Sequence, residues 1–168
     1  MTYENFLEEF LAKGLLRRQL TDLPRQQKAT GFARGAPQAV QRLILRAYKD
    51  LRTAKANLEI DEGIAYTVAY LAMLHAARAF MLMRGFRPAD GNQHRTVVEF
   101  ISRLLGKEFA VITEQFDRMR RKRNIFTYEI DISISKSEAN SALNSARSFV
   151  DLIKRLVQKE NPQMELDF

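Results

Sequence analysis

Apolar residues recur every three or four positions along most of the chain, which is the spacing of one face of an α-helix. The pattern predicts helices over residues 3–20, 37–58, 62–84, 93–105, 107–123 and 136–159. The third of these is apolar over most of its circumference and rich in alanine, as is typical of a helix at the centre of a bundle. We therefore predict an all-α fold, an antiparallel bundle of five to six helices with an N-terminal helical extension.

Local signals mark the boundaries of the last two helices. Ser135 and Glu138 have the spacing of a capping box, which predicts that the final helix begins there. Asn124 is a natural terminator and is expected to end the preceding helix. Apolar and polar residues alternate over 124–135, and no second strand is visible to pair with this stretch. It is therefore predicted to be an extended connector whose isoleucines pack onto the helices.

One polar stretch, residues 22–37, contains two prolines and two glycines and is the single plausible linker. We accordingly predict three parts of the chain. Residues 1–36 form an N-terminal helix and a basic linker, residues 37–160 form the bundle, and residues 161–168 form an acidic tail. The sequence does not decide whether the first part packs on the second.

The charge of the chain is concentrated in two islands. The chain holds 27 basic and 20 acidic residues, for a net charge of +7. Residues 17–52 carry nine basic residues against two acids, and residues 117–123 carry five against one. A local basic patch is the usual electrostatic signature of a polyanionic partner, although such runs often only solvate helix faces.

Composition excludes several kinds of chemistry. The chain has no cysteine, which excludes disulfides, thiolate catalysis and cysteine-based metal centres. Its two histidines, His75 and His94, lie in different helices without grouped carboxylates, so no metal and no cofactor are expected. No apolar run is long enough to span a membrane, and the acidic N-terminus is unlike a secretory signal. We expect a cytoplasmic protein.

The candidate binding residues are Arg120, Arg123, Asn124 and Tyr128, at the end of the predicted fifth helix. An arginine there can present a planar fork to a phosphate, and an asparagine adds a neutral donor. A tyrosine adds a hydroxyl and a ring on which a base can stack. These features suit contact with RNA or a nucleotide. The alternative is that Arg123, Asn124 and Tyr128 form a structural cap.

The two histidines also have competing interpretations. His75 lies in the middle of an apolar helix and is interpreted as a buried histidine bonded to a neighbouring helix. His94 follows a turn at a helix start. It could reach a ligand, although a role in opening the helix is the favoured interpretation.

Three features of the sequence stand out together: residues 69–80 with 85–88, then His94 at the start of the next helix, and finally Arg123-Asn124-Ile125-Phe126-Thr127-Tyr128. This combination resembles the HEPN domain (higher eukaryotes and prokaryotes nucleotide-binding). The resemblance spans residues 40–157 and leaves the N-terminal part outside. It implies an HEPN-like helical bundle.

The resemblance also implies a site. In ribonuclease branches of this family, an arginine, a polar residue and a later histidine face their counterparts across a homodimer and cleave RNA without metal. Arg123 and Asn124 match the first two positions, and Tyr128 stands where the histidine would be, as in the branch with Arg-Asn followed by Tyr. A tyrosine, with an ordinary pKa of about 10, is a poor general base near neutral pH. The comparison therefore favours a protein that is not an enzyme.

Three functional hypotheses remain. The leading one is a homodimeric module that binds RNA or nucleotide phosphates, beside a small nucleotidyltransferase in a toxin–antitoxin-like pair, without ribonuclease activity. The first alternative is a metal-independent ribonuclease toxin that uses Arg123 and Asn124. The second is a scaffolding protein whose basic segment, residues 17–52, binds an acidic protein.

Overall fold

A computed structural model describes residues 3–18, 36–128, 133–164 and 166. Within this part the chain forms six α-helices and two short strands, which confirms the predicted all-α bundle. In chain order the elements are α1 (Tyr3–Ala12), β1 (Leu16–Arg18), α2 (Ala36–Asn57), α3 (Glu62–Met83), β2 (Phe86–Pro88), α4 (Gln93–Leu105), α5 (Ala110–Tyr128) and α6 (Lys136–Glu160). A 3₁₀ turn, Lys107–Phe109, leads into α5.

Helix α3 is the centre of the bundle, as its apolar circumference predicts. It packs most extensively against α2 and α6, and it also contacts α4 and α5. Its buried alanines allow neighbouring backbones to approach closely, and Tyr70 and Phe80 fill the space between helices. Among the described helices, α3 alone is long and apolar enough to cross a membrane, but two thirds of it is buried by its neighbours. Its composition is therefore explained by its place in the core.

The N-terminal helix is shorter than the pattern predicts. We expected it to reach residue 20, but α1 ends at Ala12 and the chain turns at Gly14, whose φ of 65° suits glycine. The chain then forms β1, which pairs antiparallel with β2. Strand β2 follows directly after the end of α3. The pairing of β1 with β2 buries Leu16. The strand contact, which joins distant parts of the chain, therefore decides the structure here, although the spacing of the apolar residues favours a helix.

Residues 3–18 pack onto the bundle, which the sequence did not decide. Phe6 is buried against Phe100 of α4, with ring centroids 5.6 Å apart. The guanidinium of Arg103 lies over Phe10 at 5.2 Å and reaches Glu9 at 3.3 Å. The N-terminal extension is thus part of the same hydrophobic core as the bundle. Residues 19–35, which hold most of the predicted linker, lie outside the described part.

Helix α5 extends further than predicted. We expected it to end at Asn124, but the helix continues to Tyr128. The ring of Phe126 sits on Gly63 near the start of α3, and this packing outweighs the weak helix-ending tendency of asparagine. The first five residues of the predicted connector, 124–128, therefore belong to the helix. The connector's last isoleucine, Ile134, is buried as expected, whereas residues 129–132 lie outside the described part.

The last helix begins as predicted. The Ser135 hydroxyl accepts a hydrogen bond from the Glu138 amide, and the Glu138 carboxylate accepts one from the Ser135 amide at 3.0 Å. Lys122 pairs with the same carboxylate, and these contacts hold the pKa of Glu138 near 2. After α6, the side chains of Met164 and Leu166 return to the core.

We predict that Gly63→Ala destabilises the protein by about 1–3 kcal/mol, because the new methyl group would lie 2.2 Å from Cζ of Phe126. Urea unfolding measures this. Gly91→Ala is the matched control, since a methyl group there meets no described atom within 4 Å. In a Phe126→Ala background the Gly63 substitution should cost little. If Gly63→Ala lowered the free energy of unfolding equally in the wild type and in Phe126→Ala, the close contact between Gly63 and Phe126 would not be the cause.

Candidate functional site

A cavity of about 390 Å³ opens between the start of α4 and the C-terminal half of α5. Its walls are residues 91–95 from the α4 side and Arg120, Arg123 and Asn124 from α5. Three of the four candidate residues chosen from the sequence therefore lie together. The fourth, Tyr128, is the last residue of α5, and its side chain lies outside the described part.

The α5 wall is held by contacts within its own helix. Arg120 bonds Asp117 one turn earlier at 2.8 Å and keeps only 16 % of its side chain exposed. Arg123 donates from Nη1 to Oδ1 of Asn124 at 3.3 Å. Because α5 continues past Asn124, this asparagine does not cap the helix. It instead borders the cavity beside the Arg123 guanidinium.

His94, on the opposite wall, is bonded to a buried tyrosine. Its Nδ1 lies 3.0 Å from the hydroxyl of Tyr70 on α3. Burial raises the pKa of Tyr70 to about 12, so this hydroxyl keeps its proton. Burial lowers the pKa of His94, and the charges of Arg78, Arg123 and Arg120 lower it further. The imidazole is therefore neutral near neutral pH, and when Tyr70 donates to Nδ1 the ring proton resides on Nε2.

Arg78 is a half-buried cation on the otherwise apolar helix α3. Its Nη2 donates to the side chain of Gln93 at 3.1 Å, which ties α3 to the start of α4. Its Nε is buried and meets no acceptor among the described residues, and none of their carboxylates forms an ion pair with Arg78. Burial lowers the pKa of the guanidinium. A cation withdrawn from water without a carboxylate partner is costly, and a bound anion would offset that cost.

The start of α4 adds backbone donors to the same cavity. The Thr96 amide is bonded to the carbonyl of Asn92, so the amides of residues 93–95 come before the first helical hydrogen bond. The Asn92 side chain makes no capping hydrogen bond within the described structure. The nearby Asp90 instead accepts from the Asn92 amide at 3.3 Å and from the Thr96 hydroxyl at 2.9 Å. The helix therefore presents its positive end to the cavity.

A second cavity, of about 550 Å³, adjoins the first along α4 and α5 and shares Arg95 and Arg120 with it. Its arginines are mostly bonded to acids: Arg95 to Glu99 at 2.6 Å, and both Arg120 and Arg121 to Asp117. Charges compensated in this way attract an anion less strongly than an arginine without a carboxylate partner does. The first cavity is the better candidate.

The two histidines have separate surroundings. His75 bonds the buried Asp50 of α2 at 2.7 Å, which confirms the predicted bond to a neighbouring helix, but its own side chain is 19 % exposed and so only partly buried. Asp50 also accepts from Arg46 at 3.0 Å.

The described residues contain no group of three or more histidine, aspartate or glutamate side chains placed to hold a metal ion.

Sequence reasoning did not select Arg78, and it treated His94 mainly as a residue that opens a helix. The one available signal for Arg78 was a lone arginine within an apolar helix. For His94 the signal was its position just after a turn, where the N-terminus of a helix can meet a ligand.

A comparison with protein families matches the HEPN domain over residues 40–156, which is well over half of the chain. The chain therefore belongs to the HEPN-domain family, as the resemblance implied. No curated protein matches it significantly.

We predict that Arg123→Met raises the pKa of His94, because removing a nearby positive charge favours the imidazolium. An NMR titration of the histidine ring protons measures the change, and the only other histidine is His75. Arg147→Met, an exposed arginine of α6, is the control and should leave the titration unchanged. Identical His94 titrations in the wild type and in Arg123→Met would show that the two side chains do not interact.

Proposed function

We propose that this HEPN domain binds the phosphate groups of RNA or a nucleotide in the cavity between α4 and α5. The observation that carries the proposal is the convergence of Arg120, Arg123 and Asn124 with the start of α4 on one cavity. Arginine forks and the backbone amides at a helix start are both donors that suit phosphate oxygens. The protein would act in the cytoplasm.

Binding without cleavage is the form we favour, because Tyr128 occupies the position of the family's catalytic histidine. One observation supports the alternative of a metal-independent ribonuclease. His94 lines the same cavity as Arg123 and Asn124, so an imidazole is present although it comes from another helix. The scaffolding alternative rests on residues 17–52, of which 19–35 lie outside the described part.

A homodimer beside a small nucleotidyltransferase, in a toxin–antitoxin-like pair, completes the proposal, since family members often act in this way. The surface next to the cavity supports a protein contact. Phe126 brings the end of α5 onto the start of α3, and Ile125 and Ile64 flank this contact with 42 % and 47 % of their surface exposed. Exposed large apolar side chains of this kind support association with another protein surface.

Arg123→Ala should weaken the binding of a short single-stranded oligouridylate about tenfold or more, because a charge-assisted contact to phosphate is lost. It should also reduce the slope of log Kd against log salt by about 0.7. Filter binding at several salt concentrations measures both quantities. Arg147→Ala, which removes an exposed arginine of α6, is the control and should change neither. If Arg123→Ala bound the oligouridylate with wild-type affinity and a wild-type salt slope, the assignment of this site would be wrong.

The same mixtures report on the ribonuclease alternative. We expect the RNA to remain intact on a denaturing gel after long incubation, with or without a chelator. Cleavage that persists in chelator and disappears in both Arg123→Ala and His94→Gln would favour the ribonuclease over the binding module.

We predict that sedimentation of the purified protein gives the mass of a dimer, twice the 19.4 kDa of one chain. Ile125→Asp should lower the measured mass toward that of one chain, because a charge in an apolar interface is costly. Val111→Asp is the matched control. Val111 lies at the other end of α5 and is 80 % exposed, so a charge there should leave sedimentation unchanged. A wild-type chain that sediments as a monomer at all concentrations would argue against the homodimer.

A further inference from the structure

The side of the cavity that faces α3 holds charge and hydrogen-bonding capacity that the proposed function does not use. Arg78 has a buried Nε with no acceptor and no carboxylate partner among the described residues. Its single described hydrogen bond goes to Gln93, which itself lines the cavity. Arg78 does not itself line the cavity but stands behind Gln93, so a ligand oxygen beside Gln93 would approach a guanidinium that has no carboxylate partner among the described residues.

His94 has a partner that is compatible with either protonation state. A tyrosine hydroxyl can donate to Nδ1 of a neutral imidazole, and it can accept from Nδ1 of a charged one. In both cases the Tyr70–His94 contact at 3.0 Å is retained. His75 differs in that its partner Asp50 is a carboxylate. The hydrogen bond of His94 to Tyr70 therefore does not oppose a change in the charge of His94.

We propose that Arg78 and His94 form the α3–α4 side of the phosphate site, and that an oxyanion bound there is accompanied by protonation of His94. This rests on the proposed function and deepens it, because it assigns two more binding residues and a proton to the same cavity. The ligand class is a tetrahedral oxyanion, which in the cell is the phosphate of a nucleotide or nucleic acid.

The charges around His94 explain why the anion and the proton arrive together. The ionisable groups that surround it are Tyr70, His75 and Arg78 from α3, Asp117, Arg120 and Arg123 from α5, and Asp90 and Arg95 along the chain on either side. In the empty cavity the arginines repel a proton from the imidazole. An anion placed among them offsets that repulsion and adds an attraction of its own, so the imidazolium becomes favourable.

The sign of the pH dependence follows from this coupling. The ligand-bound state holds its proton to a higher pH than the free state does. Affinity should therefore rise as pH falls through the interval between the two His94 titrations, by at most about tenfold per pH unit for one proton. Above and below this interval the affinity should be constant.

Inorganic sulfate is the first probe, because it remains a dianion over the range in which histidine titrates, about pH 5 to 8. The ring protons of His94 should titrate at higher pH in saturating sulfate than in chloride at equal ionic strength. An unchanged His94 titration, or no chemical-shift response to sulfate at all, would overturn the inference.

An oligouridylate with a 5′-hydroxyl is the second probe, since its internal phosphates do not titrate in this range. His94→Gln should bind it with a pH-independent affinity, whereas His75→Gln should retain the wild-type pH dependence. Arg78→Gln should weaken binding about tenfold or more. Circular dichroism and urea unfolding establish that each variant is folded, and the sulfate titration of the wild type requires no variant.

Failure of the inference and failure of the proposed function give different results. If Arg123→Ala weakens RNA binding but wild-type affinity is independent of pH and unaffected by Arg78→Gln, the phosphate site stands and the roles of Arg78 and His94 are wrong. If Arg123→Ala leaves RNA binding unchanged while sulfate still shifts His94, the cavity binds an oxyanion but is not the RNA site.

Discussion

The burial of α3 on all sides is the constraint on which the rest of the structure depends. Helices α2 and α6 cover most of it, and α4 and α5 close the remaining side. Polar side chains on such a helix are costly unless they reach a partner. Tyr70 and Arg78 both lie on α3, and both reach toward the start of α4: one to His94, the other to Gln93. The core helix therefore supports one wall of the cavity from behind.

The second wall depends on how far α5 continues. Its aromatic residues pack inward, with Phe116 between Tyr70 and Phe149 at centroid distances of 5.7 and 5.2 Å. Further along, Phe126 rests on Gly63, which keeps the helix regular past Asn124. Asn124 therefore stays within the helix, and it borders the cavity together with Arg120 and Arg123.

The electrostatics of the cavity differ from those of a surface basic patch. Arginines along α5 share Asp117, and the second cavity is lined by compensated pairs. Arg78 is withdrawn from water and has no described carboxylate, so its charge is screened less than that of an exposed arginine. For the proposed phosphate site, the total charge of the basic island at 117–123 therefore matters less than the positions of Arg120 and Arg123. These two arginines border the cavity and act on His94.

The sequence by itself determined the helical class, the central place of α3, the bounds of α4, the capping box of α6 and the resemblance to HEPN domains. These follow from periodicity and from residues adjacent in the chain, whose effects act locally. It also pointed to Arg120, Arg123 and Asn124, since they lie together on one helix. Only the tertiary structure decided that the chain beyond Gly14 forms a strand, that α5 continues to Tyr128, and that His94 lines the cavity while Arg78 reaches its wall at Gln93. Each of these depends on a contact between residues far apart in the chain, and no local pattern encodes which distant surface will supply that contact.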